Sequence, residues 1–188
     1  MRSVRMASRS GMAWWLLAAA GPLMMLPGSQ ALAGEDGDGC AHFAWNVSHE
    51  LAVMKQTPLT VAAGAKPGKD VPRVRLEKLY ELELVRQGAV TYAVTPAKLR
   101  SDDSAQGGLV RLRVDREGLY RVSITSGHWI DIVDGSDFIK SKDFIRARAC
   151  ERPSKIVEFE LPPGRDLTLQ LSGVPDQKIL LAITRVSP

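Results

Sequence analysis

The sequence predicts an all-β protein, an antiparallel β-sandwich of jelly-roll type with one or two short helices near the mature N-terminus. Three observations carry this. Apolar and polar residues alternate over short runs in the second half of the chain, turn residues separate those runs at regular spacing, and helical periodicity occurs only before residue 80.

The chain opens with the order of a secretory signal peptide over residues 1–33. Arg2, Arg5 and Arg9 form a positive start, and the stretch from Met12 to Leu26 is almost wholly apolar. Ala31-Leu32-Ala33 then sets small residues before a cleavage site at Gly34. The apolar run is interrupted by Gly21-Pro22 and is shorter than the ~18 to 20 residues a membrane helix needs. The expectation is therefore a periplasmic or secreted protein with no membrane span after cleavage. Residues 34–40 form a flexible acidic lead-in, and residues 41–188 a single sandwich domain.

Within that domain Trp45 to Met54 reads as an amphipathic helix, with Ser48 as N-cap and Leu51, Val53 and Met54 packing inward. Between Arg73 and Val85 the pattern is mixed. Val74, Leu76 and Leu79 fit a helix, but Tyr80, Leu82 and Leu84 alternate with glutamates and are read as a strand. Pro96 and the polar residues 101–108 bound a loop. Val110, Leu112 and Val114 then alternate with charged residues, Glu117-Gly118 turns, and Tyr120, Val122 and Ile124 alternate again, so the two runs read as a hairpin. Trp129 to Val133 is a third strand. Val157 to Leu161, Leu167 to Leu171 and Ile179 to Val186 follow, separated by Pro162-Pro163-Gly164 and by the turn residues 172–176.

The charge balance narrows the partners. The whole chain carries +4, but residues 1–33 hold three of its 25 basic residues and no acid. The remainder has 22 bases against 21 acids, a net charge of +1. No dense Lys/Arg run marks a nucleic-acid footprint. The two cysteines, Cys40 and Cys150, both lie after the cleavage site, and an even pair in an oxidising compartment reads as a disulfide.

Three segments carry a family resemblance: Gly118-Leu119-Tyr120-Arg121-Val122-Ser123-Ile124, Trp129-Ile130-Asp131-Ile132-Val133, and Leu161-Pro162-Pro163-Gly164 with Leu167 to Gly173. Together they resemble the bacterial pre-peptidase C-terminal type of β-sandwich, with Leu167 near the place of that family's last tyrosine. The likeness covers about Leu109 to Val186. It implies a jelly-roll-like sandwich that accompanies or binds other molecules and does no chemistry itself. The chain is also similar to small uncharacterised exported proteins of Gram-negative bacteria.

Candidate site residues concentrate in Ser126-Gly127-His128-Trp129-Ile130-Asp131-Ile132-Val133-Asp134-Gly135-Ser136-Asp137. One reading is a binding edge. Trp129 would anchor an envelope protein or polysaccharide, with His128, Asp131, Asp134 and Asp137 around it; the other place for Trp129 is the core. Asp131 alternates with Ile130 and Ile132, so it faces away from the core and serves a cross-strand or turn hydrogen bond. Asp134 and Asp137 flank a tight turn and are the candidate ligands for calcium, against an Asp-Gly turn that caps its own backbone. No other cofactor is implied. The alternative class is a jelly-roll metal-dependent enzyme, oxygenase-like, using His42, His49 or His128, which needs those histidines to converge with a carboxylate. No Gly-x-Ser-x-Gly elbow is present, and the balance of residues leans away from catalysis.

Overall fold

Alternation becomes a two-layered β structure in the computed structural model, which describes residues 38–41, 43–100, 102–147 and 149–186. The segment read as a signal peptide, the lead-in before residue 38, and His42 lie outside the described residues. Along the chain come helix α1 (Ser48–Met54) and strands β1 (Leu59–Ala62), β2 (Leu79–Glu83), β3 (Val85–Arg86), β4 (Gln106–Leu112) and β5 (Gly118–Ile124). Strands β6 (Trp129–Asp134), β7 (Asp137–Ile139), β8 (Ser141–Arg146), β9 (Lys155–Leu161), β10 (Leu167–Val174) and β11 (Lys178–Arg185) complete it. One sheet has the order β1-β2-β11-β5-β9-β8 and the other β3-β4-β10-β6-β7.

Leaving aside the edge additions β1, β3 and β8, two four-stranded sheets remain, β2-β11-β5-β9 and β4-β10-β6-β7. Apart from the short β6–β7 hairpin, consecutive members of this set lie in opposite sheets, which is the wrapping of a jelly roll. The neighbours are antiparallel except β1 and β2, which run parallel with Leu59 opposite Tyr80. The inner faces of both sheets supply one core, in which Leu82, Leu112, Val122, Ile132, Phe159, Leu169 and Leu181 are fully or almost fully buried.

Two expectations are corrected here. The runs ending at Val114 and starting at Tyr120 are not a hairpin. β4 pairs with β3 and β10, whereas β5 pairs with β11 and β9. The connection 113–117 is an arch between sheets: Val114 is buried in the core and its carbonyl accepts the Gly164 N–H at 2.8 Å. Alternation tells which side chains face inward but not which strand lies alongside. Ser48 is not the N-cap but the first helical residue. Asn46 Oδ1 instead accepts both the Ser48 N–H at 3.1 Å and the Ser48 hydroxyl at 2.8 Å.

Both sheets are also covered on part of their outer faces. Val53 and Met54 of α1 pack on Leu79, Leu180 and Ala182 of the first sheet, and burying each such side chain contributes about 1.5 to 3 kcal/mol. Leu51 is only half-buried; Glu50 takes the third inward place. Its carboxylate accepts the Thr184 hydroxyl at 2.8 Å and pairs with Arg121 at 3.3 Å, while Arg121 Nε donates to Glu158 at 2.8 Å. On the second sheet the covering element is the strap of residues 92–98. The buried Gln170 of β10 accepts the N–H groups of Ala93 and Val94 at 2.8 and 3.2 Å and donates to the Val94 carbonyl at 2.9 Å. Cys40 and Cys150 form the expected disulfide, closing a sequence separation of 110.

Candidate functional site

The twelve-residue stretch singled out above does not act as one edge. His128 is fully buried, its Nδ1 hydrogen-bonded to Ser126 Oγ at 2.8 Å. Burial pushes its imidazole down to about 4, with the Lys155 charge adding to that and Asp176 opposing it. Asp131 does face away from the core, as the alternation predicts, but the strap covers it. It accepts Trp129 Nε1–H at 2.8 Å and the Ala97 N–H at 3.4 Å. Burial raises its carboxyl above the usual range, and its charge adds to the burial that pushes Tyr92 up to about 12.

The Asp134 to Asp137 turn is an ordinary strand connection. Gly135, at φ 63°, supplies the left-handed residue it needs. Asp134 is ion-paired with the Arg165 guanidinium, and Asp137 is exposed on β7. His49 and His128, the two histidines among the described residues, do not converge either. His49 lies on α1 at the outer face of the first sheet, 2.6 Å from Glu77, whereas His128 precedes β6 of the second sheet. Among the described residues no three His, Cys, Asp or Glu side chains gather into a cation site.

What the fold does build is a cleft of about 540 Å³ at the end of the sandwich, with Trp129 on its wall. Four cations line it: Lys98, Arg100, Arg146 and Lys155. Among the described residues no carboxylate does. They arrive from three segments. The strap delivers Lys98, whose ammonium lies 4.4 Å from the Trp129 ring centre and whose carbonyl accepts the Ser172 hydroxyl at 3.0 Å. Arg100 follows it, its carbonyl held by the Gln87 amide at 2.7 Å. Gly173, at φ 102°, sits where the β10 ladder shifts register, and it turns the end of that strand beside the strap.

Lys155 and Arg146 come from the first sheet and lie directly opposite each other on β9 and β8. Lys155 shares a strand face with the core residues Val157 and Phe159, so it points between the sheets. There its ammonium donates to the His128 carbonyl at 2.8 Å and stands 5.5 Å from the Trp129 ring centre. Burial, with Arg146 and Lys98 alongside and the Asp131 charge opposing, pushes it down to about 8. Phe144, opposite Val157, turns toward the same side yet is 58% exposed, so it forms an apolar lip on the cleft.

Trp129 is thus neither a core residue nor a free stacking platform. It is half-buried, its N–H is bound to Asp131, and two ammonium groups approach its ring. Each such cation–ring contact contributes about 0.5 to 2 kcal/mol, which makes the indole a wall that holds cations in place. Reasoning from sequence found Trp129 and missed Lys98, Arg100, Arg146, Lys155 and Phe144. Position 155 offered one signal, since a lysine there continues the inward register of Val157 and Phe159.

Fold and site together define an all-β jelly-roll protein with a cleft lined by four cationic side chains. Comparison with known proteins finds no matching family model, no matching curated protein and no matching solved structure.

Proposed function

We propose that this is an exported, non-catalytic binding protein that holds an anionic envelope component, an acidic polysaccharide above all, in the cleft beside Trp129. One observation carries the reading: four cations from three segments, the 98–100 stretch, β8 and β9, line a single cleft, and no carboxylate is among its described lining residues. Holding like charges together is unfavourable, and a bound anion reverses the sign of that interaction. Phe144 and the Trp129 edge add the apolar surface that a sugar ring covers. The leader-like N-terminus and the Cys40–Cys150 bond support the exported compartment. The pre-peptidase-like grammar of the strands supports a sandwich that binds and does not catalyse.

The test is calorimetric titration of the chain lacking residues 1–33 with polygalacturonate and, in parallel, with dextran. The acidic polymer should bind, more weakly as salt rises, and the neutral one should not. Arg146→Ala and the double change Lys98→Ala with Arg100→Ala should each weaken binding. Equal binding of both polymers, or no effect of these changes, would remove the cleft from the function.

A protein partner is favoured by a different observation. β8 is an edge strand whose outer side is unpaired and whose residues are almost all exposed, the setting in which an extended segment adds a strand. Phe144→Lys should abolish capture of such a partner.

A further inference from the structure

We propose that Lys155 is a nucleophilic amine that captures a small carbonyl compound bearing a carboxylate, such as a 2-oxo acid, as an imine in this cleft. The inference rests on reading the cleft as an anion site and assigns a covalent step to one residue within it.

Among the described residues the Lys155 amine forms no ion pair. It is only 5% exposed and lines the cleft. Its hydrogen bond goes to a neutral acceptor, the His128 carbonyl, at 2.8 Å. A neutral amine can donate that bond and still keep its lone pair for another partner. Asp131, the carboxylate whose charge acts on Lys155, lies outside the cleft lining and is already committed to Trp129 Nε1–H and the Ala97 N–H. Arg146 stands directly across the strand pair, and Lys98 lies over the same indole. A buried amine among other cations is the arrangement that frees a lysine for attack on carbonyl carbon. With its ammonium pushed down to about 8, a usable share of Lys155 is the free amine in mildly alkaline solution.

The surrounding cations select the substrate class. Lys98, Arg100 and Arg146 can hold a carboxylate at the cleft wall, which leaves the adjacent carbonyl carbon for Lys155. The Lys155 lone pair forms the C–N bond as the carbonyl π pair moves to oxygen, which takes up the proton the nitrogen gives up. Protonation of the resulting hydroxyl and loss of water from the carbinolamine complete the C=N bond. No oxidant or reductant takes part, and hydrolysis returns both partners.

The experiment is reductive trapping. The chain lacking residues 1–33 is incubated with glyoxylate, or with propionaldehyde as a reactant without a carboxylate, in the presence of cyanoborohydride, and the labelled lysines are located by peptide mass spectrometry. The expected result is preferential glyoxylate labelling of Lys155 over the exposed lysines, little propionaldehyde labelling there, and protection by added polygalacturonate. Lys155→Arg should lose the label at position 155 while the exposed lysines keep theirs. Glyoxylate label spread over surface lysines without preference for Lys155 would overturn the inference. Equal labelling of Lys155 by the two aldehydes would overturn the carboxylate selection. Because the label is mapped in the unaltered protein, the test stands even if the variant fails to fold. Polygalacturonate binding without labelled Lys155 would sink only the imine. Labelled Lys155 without polygalacturonate binding would sink the polysaccharide reading instead.

Discussion

Arg146 and Lys155 face each other directly across the β8–β9 ladder, two cations at one register position. Such a pair destabilises a sheet by roughly 0.2 to 1 kcal/mol relative to a neutral one. Arg146→Ala should therefore leave stability unchanged or raise it by up to about 1 kcal/mol, while anion binding weakens. Urea denaturation beside titration reads both. A large loss of stability would show that Arg146 is a structural residue, not part of a charged cleft.

Glu50 and Arg121 make the opposite arrangement, a paired charge under α1. The Glu50 side chain is 2% exposed and that of Arg121 11%. Glu50→Ala strips one partner from Arg121 and the acceptor from Thr184, and breaking such a buried network costs about 3 to 5 kcal/mol. Glu158 still partners Arg121, so the lower end is expected. A thermal melt that hardly moves would mean that apolar packing by Val53 and Met54 alone seats the helix.

His128 sets a pH dependence. Its imidazole is held down to about 4 in the folded chain, against 6.5 for a free side chain. The unfolded chain therefore binds the extra proton between those values, and stability falls as pH drops through that window. The full contribution is present above 6.5 and is of the order of 3 kcal/mol at most, from the free energy per pKa unit. Urea midpoints across that range should decline, and His128→Gln should flatten the decline. An equally steep decline in the variant would assign it to other groups.

Removing the disulfide tests its role in holding the start of the domain. Cys40→Ala with Cys150→Ala opens a loop of 110 residues, which on the chain-entropy account costs about 4 to 5 kcal/mol. The melting temperature of the double variant should fall accordingly and should no longer respond to reductant. A melt identical to that of the oxidised protein would make the bond dispensable.

The strands that carry the core were legible because a two-residue period fixes which side chains face inward. Leu112, Val122, Phe159 and Leu169 all lie where alternation puts them. Pairing was not legible, because the arch at Val114 and a hairpin turn look alike in a pattern of polar and apolar residues. β8 was missed because Ser141, Lys142, Asp143 and Phe144 are all exposed, so no face selects apolar residues. β1 left no signal for the same reason. The site was half legible. Trp129 and Asp131 stand two residues apart and were read together, but Lys98, Arg100, Arg146 and Lys155 meet only after both sheets close. His128 was misread as part of an exposed edge because a lone histidine carries no sign of its burial.

The strap over the second sheet separates two kinds of change. Its seat depends on the Gln170 amide gripping main-chain groups of Ala93 and Val94, and Lys98 itself is tethered through its carbonyl. None of these grips reads the identity of the side chains at positions 98 and 100. Sequence drift at those two positions can therefore recharge the mouth of the cleft, or neutralise it, without disturbing the scaffold. Lys155 has less latitude, since its side chain is buried and its ammonium is bound to the His128 carbonyl. Diversification among descendants of this chain would then run through the strap first, with the floor of the cleft as the slowly changing part.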